Sequence, residues 1–195
     1  MMRKIAALGL LTAALLMLAG CAGEPARTGP VDARTMRSVA AVKLDPAEAT
    51  RILSAYRTGH GLAPVRLDPA LTAMARRQAD AMAAAGTLSH SVAGGFSSRL
   101  HAAGLDTARA GENLGGGYLS TQEAFDGWRR SSGHNANLLL PGATRFGIAL
   151  AKAPGTRYRV YWAMVIAADP PPRGDGVLRS ATGAPVLMPG VVGRF

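Results

Sequence analysis

Residues 145–166 read RFGIALAKAPGTRYRVYWAMVI, and this stretch predicts a β-hairpin. In its first half Phe146, Ile148 and Leu150 occupy alternate positions, and Pro154-Gly155 then supplies turn residues. In the second half the alternating large side chains are Tyr158, Val160, Trp162, Met164 and Ile166. Such alternation is typical of strands that turn one face toward a core. We therefore expect a hairpin that closes a folded domain.

Upstream of the hairpin, the sequence carries a series of helix signals. Asp45-Pro46 and Asp68-Pro69 each combine a capping aspartate with a proline that suits the first helical position. Ser120 and Glu123 form a capping box. The predicted elements are a helix after Asp45, a second ending at Gly86, a short helix near 96–103, a strand near 110–114, and a fourth helix closed by Gly133. This order predicts helices on either side of a small antiparallel sheet, in a compact α+β domain or a layered α/β/α unit.

The N-terminus has the features of an export signal. Arg3 and Lys4 precede an uncharged apolar run over 5–18, followed by Leu18-Ala19-Gly20-Cys21. The run is shorter than the ~20 apolar residues of a membrane span and fits the apolar part of a secretory signal. The pattern resembles a bacterial lipoprotein signal, which implies cleavage before Cys21, acylation of Cys21, and attachment to the cell envelope, at the outer membrane if the cell has one. The alternative is a plain cleaved signal in which Cys21 is incidental.

The remaining chain divides by composition. We predict an acylated Cys21 and a flexible tether over 21–45, a globular domain over 46–168, and a Pro/Gly-rich tail over 169–195. A single cysteine excludes an intrachain disulfide and a Cys₄ or Cys₂His₂ zinc site. The net charge of +10 favours anionic partners. Outside the cytoplasm these would be lipid headgroups or cell-wall polymers, and we expect no nucleic-acid partner.

Four residues form a candidate site: His90, Glu112, Glu123 and His134. Each is predicted to lie at the end of an element, where side chains can meet in a cleft. Two imidazoles and carboxylates could hold a divalent cation, and the carboxylates could instead orient water or fix an imidazole tautomer. Each residue also has a local structural explanation, such as a histidine at a helix C-terminus or a glutamate at a helix cap. Spacing alone leaves these alternatives open.

Six ordered segments add a family resemblance. They are LSHS (88–91), GEN (111–113), EAFDGW (123–128), SGHNANLL (132–139), RFGIA (145–149) and YWAMV (161–165). Together they resemble the CAP domain of cysteine-rich secretory proteins, antigen 5 and pathogenesis-related 1 proteins. The resemblance implies an α/β/α sandwich with a small sheet between helices and a large central cleft. It implies that His90, Glu112, Glu123 and His134 form a cleft tetrad, with His90 and His134 ligating a divalent cation such as Zn²⁺ or Mg²⁺.

Three classes of function are compatible with these residues. The first is a binding module for a small ligand, a lipid or an envelope partner, with or without metal. The second is a metal-assisted hydrolase in which Glu112 or Glu123 acts as general base. The third is a structural envelope protein whose tetrad only stabilises loops. A serine nucleophile at Ser132 would need an oxyanion hole, which the sequence does not indicate. The sequence indicates neither enzymatic turnover nor an oligomeric state.

Overall fold

A computed structural model describes residues 31–105 and 109–169 of the chain. The elements in chain order are α1 (Ala33–Ala41), α2 (Pro46–Thr58), β1 (Arg66–Leu67), α3 (Pro69–Ala85), α4 (Phe96–Ala102), β2 (Ala110–Gly116), α5 (Thr121–Arg130), α6 (Ser132–Leu138), β3 (Ala143–Ala153) and β4 (Arg159–Ala168). The four strands form one sheet in the order β1-β3-β4-β2.

The predicted hairpin is confirmed as the centre of this sheet. Strands β3 and β4 pair antiparallel with Ile148 opposite Met164, and β2 pairs antiparallel with the other side of β4. The two-residue strand β1 pairs parallel with β3. The prediction of a wholly antiparallel sheet is therefore wrong for this pair of strands. Periodicity could not predict β1, because two residues are too few to show an alternating pattern.

Helices cover both faces of the sheet. Residues of α1, α2, α5 and α6 pack on one face of the sheet, which is formed by alternate residues of β3 and β4 such as Phe146, Ile148 and Trp162. Helix α3 packs on the opposite face, which is formed by Tyr161 and by the small residues Ala149, Ala151, Ala163 and Ala167 together with Val165. Strand β4 is buried on both faces, because every residue from Val160 to Ala167 is buried. The three-layer α/β/α sandwich is confirmed.

A glycine in β3 allows α3 to approach the sheet closely. A Cβ built at Gly147 would overlap the backbone of Leu71 and Thr72 in the first turn of α3. Any larger residue must therefore push the helix away from the strand. Alanines along the same face keep the remaining distance between the two layers short.

The predicted helix caps are confirmed by direct hydrogen bonds. The side chains of Asp45, Asp68 and Ser120 accept from the backbone N–H groups two or three residues on. Gly86 ends α3 with a left-handed φ of 64°. The fourth predicted helix ends earlier than expected, at Arg130, and α6 begins at Ser132. Ser131 between them is extended, which breaks the helix before Gly133.

The predicted tether contains a helix that belongs to the domain. Helix α1 begins after Asp32, whose side chain accepts from the backbone N–H of Thr35. Val39 is 1% exposed and Val42 is 3% exposed, and both lie in the first core. The tether prediction is therefore wrong for residues 33–44. The signal, Cys21 and the tail beyond Asp169 lie outside the described residues. Among the described residues, no helix is both long and apolar enough to cross a membrane.

Arg57, at the end of α2, is fully buried. Its guanidinium donates to four backbone carbonyls, those of Ala63, Leu138, Leu140 and Ala143. Burial lowers the pKa of this side chain from its usual value. The contacts join the end of α2 to the segment between α6 and β3, and thereby hold the C-terminal end of α6 against α2.

Candidate functional site

The four predicted site residues lie on four separate segments. His90 lies in the connection between α3 and α4, and Glu112 lies inside β2. Glu123 lies in the first turn of α5, and His134 lies within α6. The expectation that all four occupy element ends is therefore wrong for Glu112, which a strand positions, and His134 is held by a helix that was not predicted.

His90 and Glu112 are in direct contact. The Nδ1 atom of His90 lies 2.8 Å from Oε1 of Glu112. The Glu112 side chain is 2% exposed, whereas that of His90 is 59% exposed. A carboxylate only accepts hydrogen bonds, so this contact assigns the proton of a neutral His90 ring to Nδ1. The other ring nitrogen, Nε2, then carries the lone pair that a ligand or metal can use.

Arg99 completes this arrangement, and the sequence analysis did not single it out. Its Nη1 donates to Oε2 of Glu112 at 2.7 Å, and its Nη2 donates to Oε1 at 2.9 Å. The same guanidinium donates to the backbone carbonyls of His90 and Gly94. Arg99 is 7% exposed, so its charge is buried against Glu112. No sequence signal revealed this partner, since Arg99 lies 13 residues from Glu112 in the chain.

His134 is held beside β2 through its backbone carbonyl. Asn113, the strand residue after Glu112, donates from Nδ2 to the carbonyl of His134 at 3.0 Å. Asn137 in the same helix donates to the carbonyl of Glu112 and to Oδ1 of Asn113. These bonds attach α6 to the edge of the sheet at the position of Glu112.

The surroundings of His134 lower the pKa of its imidazole. Burial lowers the pKa of His134, and the charge of nearby His90 lowers it further. The ring of His134 is therefore neutral at physiological pH, which is the form that binds metals or accepts hydrogen bonds.

Glu123 lies at the start of α5 and makes the cap bonds that the capping box with Ser120 predicts. Its Oε2 accepts from the backbone N–H of Leu119 at 2.9 Å, and its own N–H donates to Ser120. These bonds cap α5. Among the described residues, the Glu123 carboxylate makes no direct contact with either imidazole. The contacts therefore join His90 to Glu112, and join His134 to β2 through its backbone.

The side chains available as ligands determine how a metal ion could bind at this site. Within residues 31–105 and 109–169, no group of three or more His, Cys, Asp or Glu side chains is placed to hold a metal ion. Both oxygens of Glu112 already accept from Arg99. An ion at this site would have the two imidazoles as protein ligands and would complete its coordination with water. The tautomer of His90 and the neutral ring of His134 fit such an ion.

Two surface depressions of the described domain lie away from the candidate site. One of about 540 Å³ is lined by Arg76, Asp80 and Lys152 among others, and one of about 490 Å³ is lined by Pro46, Leu67 and neighbouring residues. Both lie beside β3 and α3, and neither includes a predicted site residue. The candidate site is defined by its hydrogen bonds rather than by either of these cavities.

Comparisons with known proteins give a consistent result. Residues 50–166 match the family described as CAP, the cysteine-rich secretory protein family. The chain is 26% identical over 108 residues to an uncharacterized protein of Bacillus subtilis (strain 168), YkwD. That match covers 54% of this chain and 42% of YkwD, so the similarity spans less than half of that relative.

Solved structures share the fold at low sequence identity. An extracellular protein with an SCP domain from Bacillus anthracis str. Ames aligns with a TM-score of 0.55 and 21% identity, covering 72% of this chain and 45% of that one. An outer surface protein of Borrelia burgdorferi aligns with a TM-score of 0.55 and 18% identity, covering 65% and 97%. A cysteine-rich secretory protein of Staphylococcus aureus aligns with a TM-score of 0.53 and 13% identity, covering 64% and 38%.

Proposed function

The chain belongs to the cysteine-rich secretory protein (CAP) family, and from this premise we propose that it is an extracytoplasmic binding module whose ligand contacts His90 and His134. The observation that carries the proposal is the hydrogen bond between His90 and Glu112, with Glu112 in turn paired to Arg99. This arrangement presents the Nε2 atom of an exposed ring in a fixed orientation. Preorganised groups of this kind favour ligand binding because less conformational freedom is lost on association.

The alternative, a metal-assisted hydrolase, has less support. A general base must be free to take a proton from water. The two oxygens of Glu112 already accept hydrogen bonds from Arg99 and His90, and Glu123 caps a helix. Catalytic zinc sites also usually have three protein ligands, whereas this site offers two imidazoles. These features favour binding without turnover.

A divalent ion fits the proposed site. Imidazole ligands suit Zn²⁺, whereas Mg²⁺ prefers oxygen ligands, so Zn²⁺ is the better match for His90 and His134. A bound ion would supply positive charge toward a carbonyl, carboxylate or phosphate group of the ligand. The protein's own contribution is to orient the His90 ring through Glu112 and to lower the pKa of His134 by burial.

The proposed location is the cell envelope outside the cytoplasm, with the protein anchored to a membrane, the outer one if the cell has two. The support is the Leu18-Ala19-Gly20-Cys21 pattern together with relatives described as extracellular, secretory and outer surface proteins. Acyl chains on Cys21 would anchor the protein, and the positive net charge that remains after Arg3 and Lys4 are removed with the signal would favour anionic lipids or cell-wall polymers near it. The ligand class that fits this location is a lipid, a small molecule or another envelope component.

The proposal is tested by titrating the purified protein with Zn²⁺ in a calorimeter. We expect one site, and we expect the His90→Ala/His134→Ala double variant to bind at least about tenfold more weakly. His101→Ala is the matched control, because His101 is an exposed histidine on the nearby helix α4 and should leave binding unchanged. Equal affinity of the double variant and the wild type would reject the ligand assignment.

The same preparation tests the hydrolase alternative. The zinc-loaded protein is incubated with peptide, ester and glycan substrates, and product formation is measured. Cleavage that disappears in the double variant but persists in His101→Ala would favour the hydrolase over the binding module.

A further inference from the structure

We propose that Arg99 is a positioning residue that fixes both the orientation and the tautomer of His90. Arg99 contacts at the same time the carboxylate beside the ring and the backbone that carries the ring. Its importance for binding rests on the proposed function, whereas its effect on the His90 ring does not.

The first observation is the bidentate ion pair between the Arg99 guanidinium and the Glu112 carboxylate. Two guanidinium nitrogens contact two carboxylate oxygens at 2.7 and 2.9 Å. A planar bidentate pair fixes the rotation of the carboxylate as well as its position. Oε1 of Glu112 is therefore held where it accepts from Nδ1 of His90.

The second observation is that Arg99 also donates hydrogen bonds to the backbone of the segment between α3 and α4. Nη2 of Arg99 donates to the carbonyl of His90 at 3.1 Å, and Nε donates to the carbonyl of Gly94 at 2.9 Å. From the other side, Gln78 of α3 donates to the carbonyl of Ser89 at 2.6 Å. The backbone of His90 is thus fixed relative to the same guanidinium that fixes its hydrogen-bond acceptor.

The third observation concerns energy. Arg99 is 7% exposed, and the side chain of Glu112 is 2% exposed. Burying an ion pair gives little net stability compared with apolar side chains of similar volume. A gain in stability therefore explains the presence of this buried pair poorly. The pair does, however, fix one nitrogen of the exposed His90 ring.

The test observes the ring nitrogens of His90 by ¹⁵N NMR in alkaline buffer, where imidazoles are neutral, and without metal or ligand. In the wild type we expect a protonated Nδ1 and an unprotonated Nε2. In Arg99→Met we expect a mixture of the two tautomers, because the carboxylate is no longer held beside Nδ1. The ring of His134 serves as an internal reference and should keep its signals.

Two further variants separate positioning from general loss of structure. Arg99→Lys keeps the charge but lacks the fork, so it should give a tautomer mixture between those of the wild type and Arg99→Met. Arg77→Met removes an exposed arginine from α3 and should leave the His90 signals unchanged. A wild-type ring protonated on Nε2, or a folded Arg99→Met or Arg99→Lys variant that keeps the wild-type tautomer, would overturn the proposal.

Zinc titration of the same variants links the inference to function. We expect Arg99→Met to bind Zn²⁺ about 10- to 100-fold more weakly than the wild type, as is typical when the partner of a ligating histidine is lost. If the wild type binds no zinc, the proposed metal site fails while the tautomer result still decides the role of Arg99. If Arg99→Met shows mixed tautomers with unchanged zinc affinity, Arg99 positions the ring but that position does not matter for zinc.

Discussion

Replacing Arg57 with methionine should cause a large loss of stability. Four backbone carbonyls lose their donor, and those of Leu138 and Ala143 are the two in buried surroundings. An unsatisfied buried acceptor costs about 1–3 kcal/mol, so these two together cost about 2–6 kcal/mol. Water can replace the guanidinium at the half-buried contacts to Ala63 and Leu140. Methionine carries no charge, so it also avoids the desolvation cost that lowers the pKa of Arg57, and this offsets part of the loss. We therefore expect a loss of about 4 kcal/mol, or about 8–16 °C in Tm.

Urea unfolding followed by tryptophan fluorescence measures this loss. Trp128 and Trp162 are fully buried, so their emission reports unfolding of the core. Arg51→Met is the matched control, because Arg51 lies exposed on the same helix and should change stability by less than about 0.5 kcal/mol. A loss below about 1 kcal/mol for Arg57→Met, with an unchanged denaturant dependence, would refute the role assigned to these hydrogen bonds.

Two other predictions follow from the contacts of α3. Gly147→Ala should lower the free energy of unfolding by more than about 2 kcal/mol, because the added Cβ meets the backbone of the first turn of α3. Gly133→Ala, where the added Cβ meets nothing, should be neutral or slightly stabilising in the same chemical denaturation assay, and equal effects of the two changes would contradict this packing. For Asp68, burial alone would raise the carboxyl pKa, but the hydrogen bonds from Leu71 and Arg145 outweigh it and lower the pKa below its ordinary value of 3.8. Its carboxylate therefore stabilises the fold above about pH 4, and this contribution is lost as the pH falls through the lowered pKa. Asp68→Asn should show a shallower acid-induced loss of stability than the wild type, and parallel curves of unfolding free energy against pH would show that this carboxyl does not contribute.

Sequence reasoning succeeded where the signal was local. The caps at Asp45, Asp68 and Ser120 were predictable because a capping side chain and its backbone partner lie two or three residues apart. The hairpin was predictable because alternation continues over both strands. Helix α1 was missed because Val39 is the only buried residue within it, which is too narrow a stripe to show a helical period.

The site was only partly predictable, for a physical reason. The residues His90, Glu112, Glu123 and His134 were expected together on the basis of a family resemblance, since their separation in the chain gives no local signal. The structure brings His90 and Glu112 into contact, and it gives Glu123 a capping role that its position after Ser120 had already suggested. The role of Arg99 could not be predicted, because its ion pair depends on how α4 packs against β2. The sequence around Arg99 does not indicate that packing.

The position of β2 at the edge of the sheet has a consequence for how the protein is made. Glu112 is held in register opposite Val165 on β4, the last strand of the described chain. While the chain is being synthesised, β2 has no strand to pair with until residues 159–168 have emerged. The imidazole and carboxylate groups therefore assemble last, and a nascent or truncated chain that ends before β4 would retain all four residues of the site without the strand that aligns them.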